Sequence, residues 1–399
     1  MSVVKEGWTY KKLGDLFPYI KNGANIKQLQ KGEGFPITRI ETLSGGVFNR
    51  DRMGYANIFD LSKYKTYLLQ DQDILMSHIN SKNYIGRAVL YKKKNDESII
   101  HGMNLLRLIA IKEIINPAYA VFFFSSERFT RSIARIRKDA VNQSSFSITD
   151  LKKIEIPIPS LPIQQSIVSE LDKINELISL KKSQLKEFDT LAQSIFYEMF
   201  GDPVKNEKGW DVKKLGEVCD VRDGTHDSPK YLVKSDYVLI TSKNIQDDHI
   251  DFNTNNFISR EDYDKINQRS LVNAGDIIMA MIGTIGKPII VPKTDVKFCV
   301  KNVAIIKFNN NPKVINLFIK SLLDNSTYMQ YIQGLNKGGT QKFVALGTIR
   351  SLSLPLPPLS LQHQFAERIE SIERMKQQVQ TAIKELETLL ASRMQYWFD

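Results

Sequence analysis

Two long stretches of the chain place apolar residues three or four positions apart, and neither contains proline or glycine. The first covers residues 163–200 and the second begins at Leu361. This spacing lays one apolar seam along a helix, and such a seam is buried against another surface. At the usual rise per residue the first helix would be about 57 Å long. If the two seams pair, the order of the segments along the chain predicts an antiparallel coiled coil. The alternative is that each seam packs into the core of a separate domain.

The remaining parts, residues 1–156 and 202–354, alternate short apolar runs with turns rich in glycine, asparagine and aspartate, a pattern typical of β-strands. The predicted strands are Phe35–Ile40, Asp73–His78, Arg87–Tyr91, Asn104–Ala110, Val238–Thr241, Gly275–Ala280, Pro288–Val291 and Val303–Phe308. A helical stretch follows in each part, from Asn116-Pro117 to about Ile136 and from Asn311-Pro312 to about Tyr331. The predicted fold class is therefore α+β, with a mostly antiparallel, curled sheet in each globular part.

The two globular parts repeat each other. Gly7-Trp8 recurs as Gly209-Trp210, 202 residues later, and the segment that starts at Ile156 recurs at Leu354, 198 residues later. Each of these segments opens with a proline-spaced strap, and because proline restricts itself and the residue before it, we predict straps that are extended and not helical. The chain then reads as a pseudo-two-fold internal repeat. Its predicted boundaries are 1–156 and 202–354 for the globular domains, with a strap and spacer helix in 157–201 and in 355–399.

The net charge of +11 is concentrated in the globular parts. Residues 1–150 carry 23 basic and 14 acidic groups, and residues 202–350 carry 21 and 17. The two helical segments are each slightly acidic, with 6 basic and 7 acidic groups in residues 151–201 and 5 and 6 in residues 351–399. This distribution favours domains that contact a polyanion and helices that contact protein, although many basic proteins bind no polyanion.

The sequence offers no catalytic constellation. The 5 histidines are scattered, and there is no His-Glu-x-x-His, complete phosphate-binding loop or Gly-x-Ser-x-Gly elbow. Cys219 and Cys299 lie in apolar surroundings and are interpreted as buried thiols, not as a disulfide framework or a zinc site. No apolar run is long enough to span a membrane, and the first residues lack a signal-peptide core, so we expect a cytoplasmic protein. These features favour a recognition or scaffold protein that is not an enzyme.

Several loops combine basic residues with the amides and hydroxyls that read base edges in DNA grooves. Any one of these residues could equally be a solvated surface group or a turn stabiliser. In the first globular part the candidate DNA-binding residues are Asn80, Lys82, Asn83, Arg87, Arg131, Arg135, Lys138, Asn142, Gln143 and Ser144. In the second they are Arg222, Thr225, His226, Ser228, Ser242, Lys243, Asn244, Lys287, Lys337, Thr340 and Gln341.

The two halves contain the paired segments GWTYKKLGDLF and GWDVKKLGEVC, the second half contains VRDGTHDSP and GDIIMAMIGTIGK, and Gln164 and Gln362 follow the straps. In these segments, and over nearly its whole length, the chain resembles the specificity (S) subunits of type I restriction–modification systems. The family commonly has Glu immediately before this Gln, where this chain has Ile163 and Leu361. The first strap has Ser160 in place of the second proline, and the first domain has IKNGANI where the second has the Asp-Gly-Thr-His element.

The resemblance implies two target-recognition domains, each reading half of a bipartite, asymmetric target in double-stranded DNA, separated by the two long helices. It also implies protein partners: two methyltransferase (M) subunits, which use S-adenosylmethionine to methylate adenine, and restriction (R) subunits, which use ATP and Mg. No cofactor is expected on this chain. Two other functions stay open at this point. One is a coiled-coil scaffold or adaptor that joins acidic protein partners, and the other is the target-reading part of a modification enzyme.

Overall fold

A computed structural model describes residues 6–141, 143–246, 249–281, 287–308, 314–335 and 344–399. The chain divides into two compact units, one formed by residues 1–182 with 381–399 and the other by residues 183–380. We call them unit 1 and unit 2. Each contains a mixed α+β domain and part of both long helices. The prediction of two α+β domains with mostly antiparallel sheets is confirmed.

Unit 1 is built on a four-stranded antiparallel sheet in the order Tyr19–Asn22, Leu105–Ile109, Ile74–Ser77 and Ala88–Leu90. A second sheet pairs Thr9–Lys12 with Glu155–Ile158, and a third joins Ile79–Asn80, Ser144–Ser145 and Lys138–Asp139. The α-helices of its globular part are Leu13–Leu16, Pro117–Phe124, Glu127–Ile136 and Ile148–Leu151, and the 3₁₀ helices are Ile40–Gly46, Arg50–Arg52 and Ser62–Tyr67.

Unit 2 repeats this plan, with a four-stranded antiparallel sheet in the order Asp220–Asp223, Val303–Lys307, Ile277–Ala280 and Ile289–Ile290. Asp211–Lys214 pairs with Ser353–Leu356, and one parallel pair joins Tyr237–Ile240 to Lys297–Val300. The helices of its globular part are Leu215–Val218, the 3₁₀ turn Ser242–Asn244, Arg260–Ser270, Asn316–Leu323, Ser326–Gly334 and Leu346–Arg350.

The central strands of the two units pair in the same register. Ile74 lies opposite Leu108 in unit 1, and Ile277 lies opposite Ile306 in unit 2. The side chains are apolar at each of these positions, since both faces of the strand are covered in the two copies. The internal repeat predicted from the sequence is therefore a repeat of strand pairing as well as of residue type.

The two long helices are Leu161–Phe200 and Leu359–Phe398, each of 40 residues. In unit 1 an ion pair joins Glu170 to Arg393, and Lys182 lies 2.8 Å from Glu387. The residue numbers of the contacting pairs rise along the first helix and fall along the second, so the paired helices are antiparallel, as predicted. Unit 2 shows the same direction: Asp189 lies 2.9 Å from Lys376 and the ring of Phe196 lies 5.8 Å from that of Phe365.

The helix ends also complete the domain cores, which was the alternative reading of the apolar seams. Phe398, at the end of the second helix, packs its ring 5.3 Å from Tyr119 in the core of unit 1. Phe200, at the end of the first helix, lies 4.9 Å from Phe318 and 5.1 Å from Phe365 in the core of unit 2. Both interpretations of the seams are thus correct, each for a different part of the helix.

A buried glutamine fastens each long helix to its domain. Gln164 is 0% exposed; its amide donates to the carbonyls of Ile114 and Pro159 and accepts from the backbone N–H of Asn116, at 3.0, 2.9 and 2.8 Å. Gln362, also 0% exposed, donates to the carbonyl of Pro357 and accepts from the N–H of Ile315. Asn116 and Ile315 are the N-cap residues of equivalent helices. The glutamine therefore joins strap, helix and domain in both copies.

Three details of the secondary-structure prediction were wrong. Phe35–Ile40 forms no strand: Ile37 makes only single bridges, with Gly54 and with Ile100. The helical stretch to about Ile136 is confirmed, as two helices of which Ser126 caps the second, but the one helix predicted to about Tyr331 is two, Asn316–Leu323 and Ser326–Gly334, because Asn325 caps a new one. The straps are extended where they pair as strands, but Leu161 and Pro162 already belong to the first helical turn. Proline is accepted there because its missing N–H would have no partner inside the helix.

Candidate nucleic-acid interface

In unit 1 a small sheet brings together candidate residues that are far apart in the sequence. Ser144 lies opposite Asn80 on one side and opposite Asp139 on the other, so the middle strand joins the loop after residue 80 to the end of the arginine-rich helix. Lys82, Asn83 and Lys138 are exposed beside it, as is Gln143, whereas Ser144 is buried. These residues belong to two loops that are separate in the sequence, and the structure places them on one surface.

Asp139 is the centre of the polar contacts on this surface. Its carboxylate accepts a hydrogen bond from the hydroxyl of Ser144 at 2.6 Å and from the guanidinium of Arg137 at 2.6 Å, and it lies 4.0 Å from the ammonium of Lys82. The Ser144 hydroxyl, followed by Arg137, lowers the pKa of Asp139. The ionised carboxylate therefore orients two cations toward the same loop. Asp139 was not among the candidate residues.

The helix Glu127–Ile136 carries Arg128, Arg131 and Arg135 along one side of a cavity of about 710 Å³. Lys153, Glu155 and Asp399 also line this cavity. Arg131 lies 3.0 Å from Asp399, and the guanidinium of Arg128 stacks 4.7 Å from the ring of Tyr10. Arg128, Arg131 and Arg135 are three and four residues apart and so share one face of the helix, and the excess of cations over carboxylates makes the cavity positive.

In unit 2 the Asp-Gly-Thr-His segment is tied to the turn at Lys301 and Asn302. The N–H of Thr225 donates to the carbonyl of Val300 at 3.0 Å, and the N–H of Asn302 donates to the carbonyl of Thr225 at 3.1 Å. The ammonium of Lys301 donates to the hydroxyl of Ser228. The backbones approach so closely that a Cβ on Gly224 would lie 2.2 Å from the carbonyl oxygen of Val300, so only glycine fits there.

His226 is held on both sides of its imidazole ring. Its Nδ1 lies 2.8 Å from Oδ1 of Asn302 and its Nε2 lies 2.8 Å from Oδ2 of Asp223, which also pairs with Arg269 at 2.6 Å. The hydrogen bond to Asn302, followed by that to Asp223, raises the pKa of His226 above its usual value. The ring therefore keeps a positive charge to a higher pH than a free histidine does.

The first domain has the same backbone contact with different side chains. The N–H of Ala24 donates to the carbonyl of His101 at 2.7 Å, and a Cβ on Gly23 would lie 2.0 Å from that carbonyl oxygen. Asn22 and Asp223 occupy the same register on their strands, opposite Leu106 and Ala304. The segment IKNGANI is thus the structural counterpart of the Asp-Gly-Thr-His element, as its position in the sequence indicated.

Internal contacts engage several of the remaining candidates. The guanidinium of Arg222 donates to Asp220 at 2.8 Å and to the carbonyl of Arg269 at 2.8 Å. The side chain of Asn244 is buried; it accepts from the backbone N–H of Thr241 and donates to the carbonyl of Asp251, 7 residues further on. Ser242 and Lys243 belong to the same 3₁₀ turn as Asn244. Lys287 is exposed. The guanidinium of Arg87 stacks 4.6 Å from the ring centre of Tyr84. Asn142, Lys337, Thr340 and Gln341 lie outside the described residues. A role in DNA contact stays a prediction for every candidate.

The described residues show no other site chemistry. Among them, no group of three or more His, Cys, Asp or Glu side chains could hold a metal ion. Burial raises the pKa of Cys219 and of Cys299 to about 12, which keeps both thiols protonated and unreactive. None of the helices that the structure describes combines the length and apolar character that crossing a bilayer requires.

Comparisons with known proteins agree with the duplicated fold. The model of the family described as type I restriction modification DNA specificity domain matches residues 5–188 and again residues 207–388. The putative type I restriction enzyme MjaX specificity subunit of Methanocaldococcus jannaschii is 29% identical to this chain, over 97% of the chain and 93% of the relative. The MjaVIII specificity subunit of the same organism is 24% identical, over 97% and 92%.

Two solved structures share the fold over nearly the full length of both chains. The S subunit of the type I restriction–modification system from M. genitalium has a TM-score of 0.54 at 13% identity, covering 100% of this chain and 98% of that one. A chain from a study of complex assembly and conformational transition of the type I system has a TM-score of 0.60 at 15% identity, covering 99% and 98%. The family match spans both halves, so this chain belongs to the DNA specificity subunits of type I restriction–modification systems, which are non-catalytic and recognise DNA sequence.

Proposed function

We propose that this chain reads a bipartite, asymmetric sequence in double-stranded DNA, with unit 1 contacting one half-site and unit 2 the other. The observation that carries the proposal is the repeated backbone contact at Gly23 and at Gly224, which presents different side chains in the two copies. Two domains that share a backbone arrangement but carry different loop side chains are suited to bind two different half-site sequences. Basic groups surround the loops in both units, and they supply the phosphate contacts that affinity for DNA requires.

Two linked readers bind more tightly than either one, because once the first half-site is bound the second domain acts at a high effective concentration. The paired long helices are continuous, and they are fastened by Gln164 and Gln362 at their N-terminal ends. We propose that they fix the gap between half-sites, as dimer geometry fixes half-site spacing in other DNA-binding proteins. The functional boundaries would then be those predicted from the sequence, with domains at 1–156 and 202–354.

The partners that we propose are two methyltransferase subunits and, in addition, restriction subunits. S-adenosylmethionine, ATP and Mg would be bound by those partners in the cytoplasm. Methylation of adenine requires the base to leave the helical stack. Rigid reading of the flanking base pairs by this chain would hold the DNA in place while a partner turns out the adenine.

An exchange of the globular domain of unit 2 tests directly whether each domain reads one half-site. Residues 202–354 are replaced by the corresponding domain of a relative, the chimera is expressed with its methyltransferase partner, and methylated adenines are mapped across a genome. We expect one half of the methylated sequence to change and the other half and the gap to stay the same. An unchanged methylation pattern would contradict the proposal. DNA affinity of the purified chain should also fall steeply as salt rises; a salt-independent affinity would point instead to an adaptor that binds protein.

A further inference from the structure

The loop Ser81–Arg87 of unit 1 is tightly held, although it lies on the surface. The N–H groups of Tyr84 and Ile85 both donate to the carbonyl of Ser81, at 2.9 and 3.2 Å. The N–H of Gly86 then donates to the carbonyl of Ser77 at 2.7 Å, which closes the loop onto the end of its strand. The backbone of the loop is therefore held in one conformation, which lowers the entropic cost of ordering it on binding.

Tyr84 projects from this loop with 49% of its surface exposed. The guanidinium of Arg87 stacks 4.6 Å from the ring centre and stiffens the side chain from one side. Lys82 and Asn83 precede it in the same loop and are exposed, and both residue types suit contact with DNA. Among the residues that the structure describes, the ring stacks on Arg87, and about half of the side chain stays open to a ligand.

We propose that Tyr84 is a specificity-determining residue, which packs its ring against the 5-methyl group of a thymine in the half-site read by unit 1. This rests on the proposed function. Thymine is the base that offers an apolar group in the major groove. The strands Ile74–Ser77 and Ala88–Leu90 are mostly buried within the sheet, and Tyr84 lies in the exposed connection between them, so this loop is the part that can enter a groove. Because the proposed partner modifies adenine, each half-site contains an A·T pair and therefore a thymine.

The test is a cycle that pairs a protein change with a DNA change. Duplexes that bind the full-length chain are first selected from a randomised pool, and each thymine of a selected duplex is then replaced in turn by uracil, which lacks only the methyl group. We expect one replacement in one half-site to weaken binding of the unaltered chain by about fourfold, the effect of one methyl group removed from an apolar contact. Tyr84→Ala should bind more weakly and respond no further to that replacement, while Tyr84→Phe should respond as the unaltered chain does.

Tyr396→Ala is the matched control, since Arg393 stacks 4.7 Å from the ring of Tyr396, which is 55% exposed on the second long helix. It should keep the full response to uracil. If Tyr84→Ala still responds, or if Tyr84→Phe does not, the ring makes no contact with the methyl group and the inference is wrong. A chain that selects no sequence from the pool would instead refute the proposed function itself, so the two failures are distinguishable.

Discussion

Replacement of Gln164 by alanine should destabilise unit 1 far more than a typical surface substitution does. The side chain is fully buried and makes three hydrogen bonds, to the carbonyls of Ile114 and Pro159 and to the N–H of Asn116. Each such bond contributes about 1 kcal/mol net, and partners left buried without a bond lose their solvation as well. We therefore expect a loss of about 3 kcal/mol for Gln164→Ala. Gln362 makes two such bonds to residues that the structure describes, and Gln362→Ala should cost at least about 2 kcal/mol in unit 2.

Urea denaturation combined with hydrogen exchange measures both effects separately. Amides of the helix that starts at Pro117 report on unit 1, and amides of the helix that starts at Asn316 report on unit 2. Each substitution should speed exchange in its own unit only. Gln165→Ala is the matched control, because Gln165 is exposed and bonds only the side chain of Asn116. If Gln164→Ala loses no more stability than Gln165→Ala, the buried amide does not hold the helix to the domain.

Three further predictions follow from particular contacts. Burial lowers the pKa of His101 to about 4, so the unfolded chain takes up a proton at a higher pH than the folded chain does. The free energy of unfolding should therefore fall by about 2 kcal/mol between about pH 7.5 and pH 5. Urea titrations of His101→Gln should show a weaker pH dependence, and an equal dependence would contradict this. Phe398→Ala should cost unit 1 about 3 kcal/mol and leave hydrogen exchange in unit 2 unchanged, because the ring packs only in the core of unit 1. Because the pKa of His226 is raised, its charge is lost as the pH rises through that pKa, and DNA affinity should weaken over this interval; His226→Gln should remove that part of the pH profile in a binding assay.

Local sequence patterns predicted those helices and strands in which the same apolar spacing recurs over many residues. The long helices carry apolar residues at every turn, so their existence and antiparallel pairing were predictable, and only their first two residues were not. The strand predicted at Phe35–Ile40 failed because its backbone finds single bridges and no continuous partner. The strand Lys297–Val300 was missed, since its parallel partner Tyr237–Ile240 lies about sixty residues earlier in the sequence and the run itself is short.

Sequence patterns could propose the surface loops but not their assembly. The contact of Ser144 with Asn80 depends on strands of two residues each, which carry no periodic signal. The carboxylate of Asp139 was not predicted, because a pattern of basic and amide side chains does not indicate which acidic residue holds them in place. The correspondence of Gly23 with Gly224 left a weak signal, an Asn-Gly or Asp-Gly pair at the end of a strand, which only strand register makes interpretable.

The division of the chain between the units has a consequence for biosynthesis. Unit 2 is one continuous stretch, residues 183–380, whereas unit 1 needs residues 381–399 to fill its core with Phe398. During translation the apolar core of unit 1 would therefore stay partly exposed until residues 381–399 leave the ribosome. Unit 2 would mature earlier although it is translated later, and chaperones that shield nascent chains would be needed mainly by the amino-terminal half.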